Sequence, residues 1–295
     1  MIFFQPVRRF IVPLVVVMLS SLTVGCSMGT MVVKGSLAII DSGALAMNRE
    51  TDLKLAEMAI PANFKMLEGL ILESPQEPIL RVNAMQALYG YAYGFVEPDD
   101  PVRAAALYRR CIAHGDAALQ ASGFSVDPDQ VRDDELRSAL AKMSSSAVPA
   151  LFWTASCRAK YIDLNRDDPV PLAGLGVAAA IMERVLELDP EYFYGGPHLF
   201  FGIYYGARPR FFGGDLQLAE KHFAAVRAVT NDRLLIVDVL EAQYLSRQQL
   251  NQERFHVLLT RVIDAPDNLQ PDMALSNAIA KQLAVRLLRH EQEWF

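Results

Sequence analysis

A chain of 295 residues, 52% apolar and 21% charged, is long enough for a sizeable core and too apolar to stay disordered. Its formal net charge of −6 gives phosphate backbones and anionic head groups no general attraction, which excludes nucleic acid as a natural partner. Three cysteines are too few for a disulfide framework.

The chain opens with Arg8-Arg9, an apolar run Phe10–Leu19, and then Leu22-Thr23-Val24-Gly25-Cys26. A basic start, an apolar stretch too short to span a bilayer and small residues before a cysteine predict a lipoprotein export signal over residues 1–25. Cys26 is then the lipidation site and the new N-terminus, although Thr23 stands where such signals usually carry Leu. Three acyl chains would tether the protein stably to a membrane. Ser27, in place of Asp, fits the outer-membrane sorting rule of Gram-negative lipoproteins, so the expected location is the periplasmic face of the outer membrane. Residues 26–50 read as anchor and lead-in, residues 51–295 as one domain, and no later segment reads as a membrane span.

From Thr51 onward apolar residues recur at three- and four-residue spacing, which predicts an all-α fold. Helices stop at Ser74-Pro75, Asp189-Pro190 and Ala265-Pro266, where proline forbids continuation. Pro190 and Pro266, with a helix end near Thr230-Asn231-Asp232 midway, give a period of roughly 38 residues, within the range of helix–turn–helix solenoids. Asp52–Leu72 is a leading helix. Four pairs follow: Ile79–Val96 with Asp100–Leu119, Val148–Leu164 with Pro171–Leu188, His198–Arg208 with Asp215–Val229, and Leu234–Ser246 with Gln252–Ile263. Met273–Arg289 caps the array. Residues 123–147 break the period as an insertion, with Asp133-Asp134-Glu135 opening a short solvated helix. Each pair loosely resembles a tetratricopeptide repeat.

No constellation asks for catalysis, a cofactor or a metal. Gly174-Leu175-Gly176-Val177-Ala178-Ala179 spells a dinucleotide fingerprint, but no strand precedes it, and its glycines read as close-packing positions between helices. Glu253-x-x-His256 is half of a di-metal motif without its other half, and the remaining histidines are scattered. Cys111 and Cys157 sit in apolar helical patterns and read as two buried thiols, with a single disulfide between them in an oxidising periplasm as the alternative.

The informative cluster is aromatic. Tyr89, Tyr91, Tyr93 and Phe95 lie on one first helix, Phe152, Trp153 and Tyr161 on the next, Phe200, Phe201, Tyr204 and Tyr205 on the third, and Tyr244 on the fourth. Some of these rings must fill the core; an inner face carrying several tyrosines also suits a ligand or a packed partner. Arg208 and Arg210 could present guanidinium forks to a carboxylate at the mouth of that groove. On the structural reading, Gly213-Gly214 form a turn and Asp215 caps the next helix. The candidate ligand or partner residues are Tyr89, Tyr93, Trp153, Tyr204, Tyr205, Arg208 and Arg210.

The run Pro197-His198-Leu199-Phe200-Phe201-Gly202-Ile203-Tyr204-Tyr205-Gly206-Ala207-Arg208-Pro209, followed by Gly213-Gly214-Asp215, resembles the T component of TRAP transporters. So do Met182–Pro190, Tyr91–Val96 and Ala150–Ala155, in order and at matching intervals. The resemblance implies a periplasmic lipoprotein of degenerate tetratricopeptide fold that engages the substrate-binding P subunit of a TRAP system. It also implies a homo-trimer and a channel in each protomer for small organic acids. It carries over no catalytic residue. The competing reading is an envelope scaffold that holds protein partners and has no small-molecule cavity.

Overall fold

The computed structural model describes residues 27–295; the expected export signal and Cys26 lie outside the described residues, as do the side chains before Gly35. The described chain is all-helical, with no strand among those residues. Helix α1 (Ser27–Asn48) leads into α2 (Leu53–Glu73), capped by Asp52, whose carboxylate accepts from the Lys54 and Leu55 amides. Pro78 starts α3 (Pro78–Tyr91), which runs on through a wider π turn, Ala92–Val96. Asp100 caps α4 (Pro101–Ala121), and α5 (Asp133–Ala141) lies within the insertion.

Helix α6 (Val148–Asp163) is buried on nearly every side, from Val148 through Arg158. It is the central post: α3, α4 and the later α8 all pack on it. Its buried Arg158 is held by Asp116 of α4 at 2.9 Å and by Asp129 of the insertion at 2.6 Å, which ties the insertion to the body. A short α7 (Pro169–Ala173) precedes α8 (Leu175–Leu188). By length and composition Pro169–Leu188 could cross a membrane, against the expectation of no later span. Gly174 breaks it into two helices, and Ala178–Met182 and Val185 are buried.

The second half comprises α9 (Tyr192–Gly206), α10 (Leu216–Thr230), α11 (Ile236–Leu240, continued by a π turn Glu241–Ser246), α12 (Gln252–Asp264), α13 (Ala274–Leu288) and α14 (Glu291–Trp294). Asp215 caps α10 by accepting from the Leu218 amide at 3.0 Å, and Gly213 takes φ 84°, the turn its sequence suggested.

The array closes on itself. α13 packs against α1 and α2, at the opposite end of the sequence. Gly94 lies so close to α13 that a Cβ there would stand 2.6 Å from Ile279 Cδ1, and the Ile279 side chain would have to turn aside to admit one. Arg286 of α13 forks onto Asp99 at 2.7 and 3.2 Å, and Arg49 at the end of α1 reaches Asp272 at 2.7 Å.

Two readings are corrected. Cys111 and Cys157 are not separate thiols: they form a disulfide that joins α4 to α6 across 46 residues of sequence. Both were rightly placed in apolar helix faces, but those faces turn toward one another. Loop closure of that size typically contributes about 2–4 kcal/mol. Gly176 does not mediate close packing, since a Cβ there would meet nothing within 4 Å; Gly174 serves as the break between α7 and α8.

Candidate functional site

Closure of the array leaves a partly open cavity of about 400 Å³, a size ordinary for small-molecule sites. Its wall is drawn from α1, α2, α3, α6, α9, α11 and α13 and is mostly apolar: Ile40, Met47, Ile60, Leu67, Leu199, Ile203, Leu240 and Ile279. The structure brings Tyr89, Tyr93, Trp153, Tyr204 and Arg208 together on this wall. Tyr205 and Arg210 are not among its residues. The Tyr205 ring instead stacks toward α10, 5.9 Å from His222, and Arg210 is exposed in the following loop.

The aromatic wall is continuous. The Tyr89 ring stacks with Tyr93 at 6.2 Å and meets Trp153 edge-on at 5.4 Å; Trp153 meets Phe193 at 4.8 Å. Phe193 is a wall residue that sequence reasoning missed. It stands with Tyr194 and Gly195 in a left-handed turn (φ 48°, 62° and 76°) before the regular part of α9. Such a conformation costs a non-glycine residue roughly 1–2 kcal/mol. Packing of Phe193 against Phe152 and Trp153 offsets that cost.

Four charged residues line the cavity: Lys160, Asp163, Arg166 and Arg208. Three of them are neutralised together with Glu97, which lies just behind the wall. Lys160 Nζ donates to Glu97 at 2.6 Å and to Asp163 at 3.0 Å, and Arg166 pairs with Asp163 at 2.8 Å. Tyr244 donates to Asp163 and Tyr108 to Glu97, both at 2.7 Å. Burial works against the Lys160 charge, but Tyr244, Asp163 and Glu97 outweigh it and hold its pKa well above the ordinary lysine value. Burial likewise opposes the Asp163 charge, and Lys160 and Arg166 overcome it. Tyr93 and Tyr244 sit on the two π turns, whose wider pitch places them over this cluster. Burial pushes the Tyr89 hydroxyl up to about 12, so it is neutral at any physiological pH.

Arg208 differs from the other three. Its guanidinium lies 3.6 Å from the centre of the Tyr204 ring and donates to the carbonyls of Tyr204, Phe212 and Gly213. Among the described residues it meets no carboxylate. The cavity therefore carries one uncompensated positive charge, clamped at a fixed place on an apolar wall.

Such a fold and site define an all-helical protein built around a partly open, largely apolar cavity. The family model described as TRAP transporter T-component matches residues 49–295, and the chain belongs to that family. It is thus an accessory component of TRAP transport. An uncharacterised protein of Treponema pallidum (strain Nichols) is 22% identical over 262 residues, covering 83% of this chain and 81% of its own length.

Behind the chamber, His198 of α9 and His222 of α10 face each other with their Nδ1 atoms 2.9 Å apart. Only one proton fits between them. Burial, then the neighbouring His198, depresses His222 to about 4; burial alone lowers His198. Both folded values lie below the unfolded value near 6.5, so the stability these groups contribute is present above about pH 6.5 and is lost as pH falls toward 4. Thermal melts should show the wild type losing stability over that window. His222→Gln, which keeps a hydrogen-bonding partner but does not titrate, should flatten the dependence; parallel curves would contradict this account of the pair.

Proposed function

We propose that this chain is a lipid-anchored periplasmic component of a TRAP uptake system that receives a small, mainly apolar organic anion in its central chamber and exchanges it with the substrate-binding P subunit. The observation that carries this reading is the unpaired Arg208 on the wall of an otherwise apolar or self-neutralised cavity. Apolar walls reward burial of a hydrocarbon body at about 25 cal/mol per Å². A fixed guanidinium adds a charge-assisted fork for a carboxylate head. Tyr89, Tyr93, Trp153 and Tyr204 supply flat contact area, while Lys160 stays with its own acids.

The outer face of α2 leaves Leu55, Met58, Met66 and Leu72 exposed on one side, which supports the family expectation of a homo-trimer. Cys26 supplies the anchor on the periplasmic face of the outer membrane.

Titration with octanoate and with octanol tests the chamber. The wild type should bind octanoate; Arg208→Gln should weaken it roughly tenfold to a hundredfold, the scale of a lost hydrogen bond to a charged group, and leave octanol unchanged. Equal loss for both probes, or no octanoate binding at all, would favour the scaffold reading. The anchor is tested by cell fractionation: the wild type should sediment with membranes and Cys26→Ser should be released, whereas unchanged sedimentation of the variant would refute lipidation at that residue.

A further inference from the structure

The loop after α9 holds two large rings in water. Phe211 and Phe212 are 81% and 65% exposed, with ring centres 4.3 Å apart. Their exposure is built in. The Phe212 and Gly214 amides both donate to the Pro209 carbonyl, the Asp215 amide donates to Tyr205, and Arg208 clips the Phe212 and Gly213 carbonyls from the side. A side chain on Gly214 would collide with the Arg208 backbone, so the loop is shaped around its own arginine. Arg210 stands beside the rings, exposed and with no ion pair among the described residues. A rigid aromatic pair flanked by a free cation has the composition of an interface anchor.

Its position follows from helix direction. α6 and α9 run the same way, since Phe152 and Trp153 near the start of one meet Tyr192 and Phe193 at the start of the other. Their C-terminal ends share one rim of the ring: Asp163 meets Tyr244, and Gly206 lies against Leu245. The cavity-lining Arg166, Leu172 and Arg208 belong to that rim, and Val170 beside them is 79% exposed. α1 has the same sense as α3: Leu37 and Ile40 share an apolar cluster with Leu80 at the start of α3, and Met47 shares one with Tyr91 at its end. The N-terminus of α1, where the chain arrives from Cys26, is therefore at the opposite rim.

We propose that the Phe211–Phe212 loop with Arg210 is the docking knob for the substrate-binding subunit. It rests on the transport reading above. The partner face it fits is an apolar socket edged by carboxylates, placed beside that partner's own ligand opening. Charge complementarity argues this: Arg208 and Arg210 present unpaired positive charge on a molecule that is acidic overall. Orientation argues it too, because an anchor at Cys26 holds the membrane at the far rim, which favours a protein over a bilayer as the occupant.

The test uses the full acylated chain in phosphatidylethanolamine–phosphatidylglycerol nanodiscs and the purified substrate-binding subunit of the TRAP system from the same organism. The wild type should bind, less tightly as salt rises. Phe211→Ser with Phe212→Ser should weaken binding at least tenfold. Arg210→Glu should weaken it several-fold and reduce the salt dependence. Octanoate binding and the melting temperature should stay at wild-type values in both. If the wild type binds and the variants bind equally, the knob is overturned while the transport reading stands. If the wild type does not bind at all, both fall. Binding of Cys26→Ser to vesicles of the same lipids that vanishes with the phenylalanines would assign the loop to the bilayer and overturn the proposal.

Discussion

The closure of the last long helix onto the first two is the constraint on which this molecule depends. At the seam the Ile279 side chain packs directly onto Gly94, and the Arg286–Asp99 fork fixes the contact at its edge. An open array would leave the apolar inner faces of α3, α6, α9 and α11 as a groove in water. Closed, the same faces become the wall of a chamber, and tyrosine and tryptophan rings can line it without exposing a large apolar patch. The disulfide between α4 and α6 and the Arg158 pairs with Asp116 and Asp129 brace the side of the ring opposite that seam in sequence.

Charge inside the ring is managed by pairing. Lys160 would be costly alone in such a place; Glu97 and Asp163 make it part of a network that also satisfies Tyr108 and Tyr244. What remains after that pairing is Arg208. It lies flat on Tyr204 and is fastened by three carbonyls, with no carboxylate partner among the described residues. The same side chain shapes the loop that presents Phe211 and Phe212. The chamber wall and the exposed knob are thus two consequences of one arginine.

Much of this was legible in the sequence because it is local. Helix ends followed from Asp215 as a cap and from proline stops, and part of the inner wall was marked by the aromatic residues on first helices. What was not legible depends on three-dimensional neighbours. Tyr205 follows Tyr204 directly but turns toward His222, because consecutive helical residues point about 100° apart. The Cys111–Cys157 pairing needed the knowledge that α4 and α6 touch. Phe193 was missed because no propensity announces two aromatic residues in a left-handed turn; only the ring cluster that holds it explains it. The Lys160 network joins residues from four helices, and ring closure joins the two ends of the chain.

The claim at the centre of this account is that the closed ring receives an organic anion with its head on Arg208. The most direct measurement is an anomalous difference map from crystals of the protein soaked in 8-bromooctanoate. The account places bromine inside the ring among the α3, α6 and α9 side chains, with the carboxylate against the Arg208 guanidinium. Bromine found only on the outer surface, or in the chamber with the carboxylate turned away from Arg208, would contradict it.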